Sequence, residues 1–527
     1  MKTRAFLLVF SFFFTGGVMG QAVDTAAVVR EVDSLLKTAL HLRKTRDFQN
    51  ALKTGLIAQE LTKRYLGQEN ERFAKCITSI ALSYKGMSRF IDSEPLLIQS
   101  IDIRKKMLGV KHADYIASLD RLGYLYEDMG RLEAAESLFL ESLSARQEEP
   151  GVQSTAYATS LINLADLYVL MGRYEEVERL YKTAINIRAK VLGKENADYA
   201  MGINNLATFY QNTLRFLEAE QLHLECRKIR EKLMGRDNPE YCGTLINLGA
   251  TYDEMGRHEL AEQLLLEAKQ SFEKIPNYIY HPYYINCLNN LGVLYTNTKK
   301  YREAELLLIE NKNIREKIFG KNSQYYTVIL LNLGTLYFRM KRYESAKMFF
   351  LEEKNIEEKL LGKMHPDYAM TINNLASVYT AIGEYELVEN LRIESKFIWE
   401  TTVGKQNNQY VSITNQLTGL YWKMSQDERA DLFSYESQEN ALKILTKSVR
   451  YLTKNELAEN NKIFSGYFEN FYSFVGYRNN QSKKLNQSCY TSTLFQKGFL
   501  LMADLGTNTL IRADTATIFL SDLLKSY

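Results

Sequence analysis

Apolar side chains recur along the chain at helical spacing, in blocks separated by short polar connections. In the block that ends at Gly383, Leu375, Ala376 and Tyr379 lie at positions i, i+1 and i+4 of one stripe. Pro366 and Asp367 precede this block and predict a turn and the start of the helix. A longer amphipathic block, 342–362, comes before it and ends on a glycine, the residue that suits the position after a helix C-terminus. The pattern predicts an all-α chain of helical hairpins.

These hairpins repeat with a period of 42 residues, interrupted by one step of 43. One hairpin cannot bury its apolar face alone, so neighbouring copies must stack into a solenoid. We predict about ten units over residues 21–426, with the extra residue in or beside the loop 275–278, where an insertion costs little. Two tyrosine ladders carry the period, one at 84, 126, 168, 210, 252, 295, 337, 379 and 421, the other at 115, 157, 199, 241, 284, 326, 368 and 410.

Many copies carry a leucine, then Gly or Ala, then a tyrosine three residues later, then a small residue nine positions further on. Leu333-Gly334, Tyr337 and Ala346 are one example. With phrases such as Ile314-Arg315-Glu316-Lys317, the pattern resembles the tetratricopeptide repeat, in the long variant found in kinesin light chains. The resemblance covers about residues 35–424. It implies a right-handed superhelix whose concave groove is lined by the first helix of each hairpin.

An asparagine recurs in the first helix of most copies, although asparagine is a poor helix former. At 100° per residue, Asn374 lies about 140° from Tyr379, so it cannot share the core-facing stripe. The tetratricopeptide resemblance implies that this amide faces the groove and bonds the backbone of an extended peptide. An amide ladder that links neighbouring helices is an equally good interpretation. We name the set the amide column: Asn163, Asn205, Asn247, Asn290, Asn332 and Asn374.

Further groove positions follow on the same helical stripe: Thr208, Asn212, Asn297 and Arg339. These are mostly neutral groups. The lysine-rich pattern of a carboxylate clamp is missing, which disfavours a chaperone tail as the ligand.

The N-terminus has the pattern of a secretory signal. Lys2 and Arg4 precede the apolar run 5–14, and small residues through Gly20 suggest cleavage after that glycine. An uncleaved anchor is the weaker alternative, because the apolar run is about half the roughly 20 residues of a spanning helix. We expect an exported protein, periplasmic or secreted, with no membrane span after cleavage.

Beyond Met424 the period ends, and residues 427–527 form a separate C-terminal segment. Phe464, Phe468, Phe471, Tyr472 and Val475 predict a helix that caps the last repeat. Phe471 to Phe474 and the run 494–501 also resemble the helical region that precedes the peptidase in bacterial CHAT proteins, which are caspase-like proteins with tetratricopeptide repeats. In that family the catalytic His and Cys lie in a further domain, and this sequence ends before it.

Composition points away from several classes of function. Lys plus Arg number 66 against 63 Asp plus Glu, with the signs interspersed, so no basic stripe indicates nucleic acid. Five cysteines without CxxC spacing disfavour a disulfide scaffold or a zinc site, although Cys242 could pair with Cys226 or Cys287. His258-Glu259 is only half of a zinc motif. We therefore expect no cofactor, no metal and no catalytic residue.

Three functions remain open from the sequence. The repeats favour an exported, non-enzymatic scaffold that binds a peptide segment of a protein partner. The C-terminal segment allows the sensing half of a CHAT-type protease system. A surface glycan-binding protein is the third, and it ranks last because most tyrosines already have repeat positions.

Overall fold

The computed structural model describes residues 24–275, 278–448, 454–478, 482, 486–490 and 492–493. The described chain is almost entirely α-helical, which confirms the all-α prediction. Its helices are α1 (Thr25–Lys44), α2 (Phe48–Tyr65), α3 (Glu71–Gly86), α4 (Phe90–Leu108), α5 (Ala113–Asp128), α6 (Leu132–Arg146), α7 (Thr155–Leu170), α8 (Tyr174–Leu192), α9 (Ala197–Asn212), α10 (Phe216–Met234), α11 (Pro239–Glu254), α12 (His258–Glu273), α13 (Pro282–Asn297), α14 (Tyr301–Phe319), α15 (Gln324–Arg339), α16 (Tyr343–Leu360), α17 (Pro366–Ile382), α18 (Tyr385–Thr402), α19 (Asn408–Lys423), α20 (Asp427–Ser448) and α21 (Lys454–Tyr477).

Consecutive helices pair as antiparallel hairpins that stack in chain order. We number the repeats from α1–α2, repeat 1, to α19–α20, repeat 10. Helix α20 is the second helix of the tenth hairpin, so the sequence-based boundary at residue 426 falls inside that hairpin. The extra residue of the period lies between α12 and α13, where Tyr278–Tyr280 forms a short 3-10 turn.

Local signals place the helix ends. Gly193 follows α8 with a φ of 80°, a left-handed conformation that glycine adopts without strain. At the start of α17 the N-cap is His365 rather than the Pro366-Asp367 pair. Its Nδ1 accepts a hydrogen bond from the Asp367 amide at 3.1 Å, and Pro366 occupies the first turn.

Both tyrosine ladders stabilise the array through their hydroxyl groups, the first between repeats and the second within each hairpin. In the first ladder the hydroxyl donates to a glutamate of the preceding repeat, as Tyr210 does to Glu178 at 2.9 Å. In the second it donates to a glutamate of its own hairpin, as Tyr241 does to Glu267 at 3.0 Å. Equivalent bonds form at Tyr126, Tyr168, Tyr252, Tyr295, Tyr337, Tyr421, Tyr115, Tyr199, Tyr284, Tyr326, Tyr368 and Tyr410. Because these tyrosines form hydrogen bonds that hold the helices together, the glycan-binding alternative is weakened.

A column of arginines joins five of the second helices to the first helix of the next repeat. Arg188 donates to the backbone carbonyl of Asp198 at 2.8 Å, and Arg230 donates to that of Glu240 at 2.8 Å. The arginine column comprises Arg104, Arg146, Arg188, Arg230 and Arg315. In repeat 8 the equivalent residue is Glu357.

The array curves toward its first helices. Neighbouring first helices such as α9, α11 and α13 touch one another, whereas contacts between neighbouring second helices are sparser. The first helices therefore form the concave wall. The superhelix also meets itself after one turn: the rings of Phe48 and Phe319 lie 6.2 Å apart, and the backbone N–H of Gln324 donates to Ser88 Oγ at 3.3 Å.

Helix α21 covers the end of repeat 10. Phe468, Phe471 and Val475 are buried against residues of α19 and α20, as expected for a cap. Tyr472 packs at the edge of the same clusters. The side chain of Phe464, the N-terminal residues 1–23 and the run 494–501 lie outside the described residues.

All five cysteines are free thiols, and four of them are buried. Neither pairing considered for Cys242 is formed. Burial raises the pKa of the Cys242 thiol to about 12, so it acts as a small apolar residue.

Candidate ligand-binding groove

The amide column runs along the concave wall, and half of it is engaged within the stack. Asn247 Nδ2 donates to Asn204 Oδ1 of the preceding repeat at 3.2 Å, and Asn332 Nδ2 donates to Asn289 Oδ1 at 2.6 Å. Asn163 is buried and its Oδ1 accepts from the Tyr124 hydroxyl at 2.7 Å. These three amides behave as the ladder interpretation predicts.

The other half of the column is free. Asn205, Asn290 and Asn374 are half-buried, and none of their side chains forms a hydrogen bond to any residue that the structure describes. In the bonded pairs, the acceptor is the residue that comes just before the column asparagine of the preceding repeat. For the free amides this acceptor is replaced by an apolar residue, Ile162, Ile246 or Leu331 respectively. Donor and acceptor groups thus face the groove at every second repeat, in repeats 5, 7 and 9.

The four further predicted groove residues differ in their surroundings. Thr208 is half-buried and its hydroxyl donates to the Asn204 carbonyl of its own helix at 3.1 Å. Asn297 is exposed, and its Nδ2 donates to Asp253 Oδ2 at 3.1 Å. Asn212 and Arg339 are exposed. Thr208 and Asn297 therefore have partners within the protein.

Acidic groups face one another on the wall of repeats 3 and 4. Burial, together with the charge of Asp166, raises the pKa of Glu127 to about 8. Burial also raises the pKa of Asp166 to about 6, although its carboxylate accepts a hydrogen bond from the Tyr181 hydroxyl. Lys85 pairs with Asp128 at 2.7 Å. At neutral pH Glu127 holds its proton, so this wall carries less negative charge than its number of carboxyl groups would give.

A buried cation that the sequence analysis missed lies between the first helices of repeats 9 and 10. Arg392 projects from α18 and is only 5% exposed. Its Nη1 donates to the Gln416 carbonyl of α19 at 3.0 Å, and its Nη2 donates to Thr380 Oγ1 of α17 at 3.3 Å. The signal in the sequence was an arginine at a repeat position that elsewhere holds Leu97, Phe139, Tyr181, His223, Leu265, Leu308 and Phe350.

No group of three His, Cys, Asp or Glu side chains lies in an arrangement that could hold a metal ion among the residues described. His258 starts α12, and its Nδ1 pairs with Asp253 at 2.8 Å. In the same part of the chain, no helix has a stretch long and apolar enough to cross a membrane.

Comparison with protein families identifies the repeat. Tetratricopeptide repeat models match residues 74–148, 115–190, 198–274 and 325–395, and a second such model matches 285–325. Together the matches span more than half of the chain. The protein belongs to the tetratricopeptide repeat family.

Solved structures of other proteins contain repeats similar to those of this tetratricopeptide repeat protein. A putative kinesin light chain of Podosopora anserina with nearly identical TPR-like repeats is 22% identical, over 39% of this chain and 98% of its own, with a TM-score of 0.34. BtubC (BKLC) from P. vanneervenii is also 22% identical, over 46% and 91%, with a TM-score of 0.34. A Rap protein complexed with competence and sporulation factor is 13% identical, over 71% and 99%, with a TM-score of 0.47.

No curated protein sequence matches the chain significantly. The tetratricopeptide prediction is confirmed, and with it the coarse expectation of a protein-binding scaffold. The family matches all fall on tetratricopeptide repeats and give no support to the CHAT resemblance.

Proposed function

We propose that the protein is a non-enzymatic scaffold that binds an extended segment of a partner protein along its concave wall. The observation that carries the proposal is the row of free amides Asn205, Asn290 and Asn374. Each offers a donor and an acceptor, the two groups that every peptide unit can complement whatever its side chains. Half-buried amides without a partner bond a ligand with little further desolvation.

The spacing of these amides sets the size of the ligand. Packed helices lie about 8–10 Å apart, so amides two repeats apart are separated by roughly 20 Å, and Asn205 and Asn374 by roughly 40 Å. An extended chain advances about 3.3 Å per residue, so a segment of roughly 12 residues spans all three. Shorter segments reach only two amides.

The alternation within the column supplies a matched experiment. Peptides of about 14 residues are selected from a phage-displayed library against the purified protein, and their dissociation constants are measured by fluorescence anisotropy. The test variant is Asn205→Ala/Asn290→Ala/Asn374→Ala. The control variant, Asn163→Ala/Asn247→Ala/Asn332→Ala, changes the three amides already bonded within the stack.

The two variants have opposite expected results. A hydrogen bond contributes about 0.5–1.5 kcal/mol, so loss of the three free amides should weaken binding by about 1.5–4.5 kcal/mol, which is at least roughly 10-fold, without changing the melting temperature. Loss of the bonded amides should lower the melting temperature and leave affinity intact where the protein is folded. Wild-type affinity in the test variant would refute the proposed role of the amides.

We also propose that the protein works outside the cytoplasm. This rests on the basic and apolar pattern of residues 1–20. Fractionation and the mass of the mature N-terminus test it: cleavage after Gly20 is expected, and Leu8→Arg should block export. A full-length, cytoplasmic wild-type protein would contradict this proposal.

A further inference from the structure

A seam joins the early repeats to the late ones along the edge of the array where turns and loops lie. Each contact brings residues at the turn inside one hairpin against residues at a loop between hairpins, six repeats further along. The three pairs are Phe48 with Phe319, Ser88 with Gln324, and Gly130 with His365. They join repeats 1 and 7, 2 and 8, and 3 and 9, so the seam recurs at three consecutive steps.

Further packing accompanies these pairs. The Cζ atom of Arg46 lies 5.8 Å from the ring centroid of Phe48 and 5.8 Å from that of Phe319, within the range of a cation–π contact. Leu361, at the end of repeat 8, packs against the core cluster of repeats 2 and 3 that contains Phe90. The seam therefore combines apolar packing, a cation–π contact and a hydrogen bond.

Residues that share a repeat position show what the seam covers. Ser88 and Ser425 both hold the left-handed position of the hairpin turn, with a φ of 56°. Ser88 is only 3% exposed, whereas Ser425 is exposed. A Cβ on Gly130 would lie 3.0 Å from His365 Cδ2, while a Cβ on Gly172, at the same position, would meet no atom within 4 Å. The seam, and not the turn itself, buries Ser88 and Gly130.

The seam closes the first part of the array into a ring. Repeat 1 touches repeat 7, and the repeats between them stack in order, so an unbroken series of contacts runs once around the superhelix axis. The concave wall faces the inside of this ring. Asn205 and Asn290 lie on that wall and are half-buried, so solvent still reaches them. A partner segment that runs through the ring along this wall is encircled by the protein.

We infer that the ring selects a segment that ends in a free chain terminus and that the seam excludes a segment held between two folded domains. A free end can thread through a closed ring. A segment with a folded domain on each side enters only when the seam opens. The inference rests on the proposed function and deepens it, because it names the partner as a protein with a terminal tail.

Lysine substitutions should open the seam without disturbing the turns. Lys341 holds the position of Ser88 in repeat 8 with a φ of 60°, so lysine fits this backbone. The test variant is Ser88→Lys/Gly130→Lys, which places two long charged side chains where the seam leaves no room for them. The control variant, Gly172→Lys/Ser425→Lys, adds the same charges at the same turn positions, where both residues are exposed.

A second pair of variants keeps the test decisive if the double lysine variant does not fold. Phe319→Ala removes one ring from the seam and is the milder change. Val403→Ala is its control, because Val403 holds the same repeat position as Phe319 and is 44% exposed.

The first arm measures the ring by small-angle X-ray scattering. The seam variants should have a larger radius of gyration than the wild type, and the control variants should have the wild-type radius. Helical content by circular dichroism should be the same in all of them, because the lysines lie in turns and the alanines preserve their helices. An equal radius in the wild type and both seam variants would overturn the inference.

The second arm uses the peptides selected against the groove, in two forms. One form carries a small folded domain at one end only, and the other carries the same domain at both ends. The doubly flanked form binds only the population with an open seam. If that population is about 10% or less, its affinity for the wild type should be at least roughly 10-fold lower than that of the singly fused form. The seam variants should bind both forms equally, and the controls should discriminate as the wild type does.

The outcomes separate this inference from the proposed function. Equal affinity of the wild type for both forms would overturn the inference, and so would a difference that persists in the seam variants, because it would show simple crowding by the second domain. If the singly fused form still depends on Asn205, Asn290 and Asn374 in either case, the proposed function stands. If binding does not depend on these amides, their proposed role fails, while the comparison of the two forms still decides this inference.

Discussion

A pair of buried carboxyl groups in repeat 8 predicts that the C-terminal repeats weaken as the pH rises. Glu357 takes the place that the arginine column fills in five other repeats, and Glu353 lies one turn before it on α16. Their exposed fractions are 3% and 1%. Glu357 Oε2 accepts from Thr371 Oγ1 at 2.7 Å, while Glu353 Oε2 has no partner among the described residues.

The size of the pH effect on the free energy of unfolding follows from the proton that Glu357 retains in the folded chain. Burial raises its pKa from 4.5 to about 7, with Asp367 adding to the shift. The unfolded chain releases this proton above pH 4.5, whereas the folded chain keeps it until about pH 7. Each pH unit between these values removes about 1.4 kcal/mol, so the free energy of unfolding falls by roughly 3 kcal/mol and then levels off. Burial and Glu357 raise the pKa of Glu353 well above its usual range, which acts in the same direction.

The two tryptophans of the chain make this local effect measurable. Trp399 lies on α18 and Trp422 on α19, so tryptophan fluorescence during urea unfolding follows repeats 9 and 10, next to the pair. The variant Glu353→Gln/Glu357→Gln should match the wild type near pH 5 and exceed its unfolding free energy at pH 8 by about 3 kcal/mol or more. Glu358→Gln, at a neighbour whose side chain is only partly buried, should keep the wild-type profile. Parallel pH profiles for the wild type and the double variant would refute the reasoning.

Three further predictions concern the stack. Tyr210→Phe removes the hydroxyl that donates to Glu178 and should lower the unfolding free energy by about 1 kcal/mol in urea titrations; no loss would show that the bond is not stabilising. Phe319→Ala removes the ring contact with Phe48 between superhelical turns and should enlarge the radius of gyration in small-angle scattering, whereas an unchanged radius would contradict a closed turn. A reducing agent should leave the melting temperature unchanged, because all five thiols are free, and a fall would reveal a disulfide.

The repeat architecture was predictable because the same packing residues recur from copy to copy. Leu333, Gly334 and Tyr337 recur at equivalent positions, and a Cβ on Gly334 would lie 2.5 Å from Phe350 Cε1, so only a very small residue fits there. Because the pattern recurs in successive copies, a weak helix signal in one copy is outweighed by clear signals at the same positions in the others. We predicted the end of the repeats at residue 426 because the tyrosine ladder ends at Tyr421. Helix α20 nevertheless pairs with α19 as a hairpin, although it carries no ladder tyrosine.

The groove was predictable as a column but not residue by residue. Whether an asparagine is free depends on the residue that faces it from the preceding repeat, about 43 positions earlier. Asn332 has Asn289 there and is bonded, whereas Asn374 has Leu331 and is not. Arg392 escaped notice because a single arginine in a second helix reads as a surface residue until neighbouring helices enclose it.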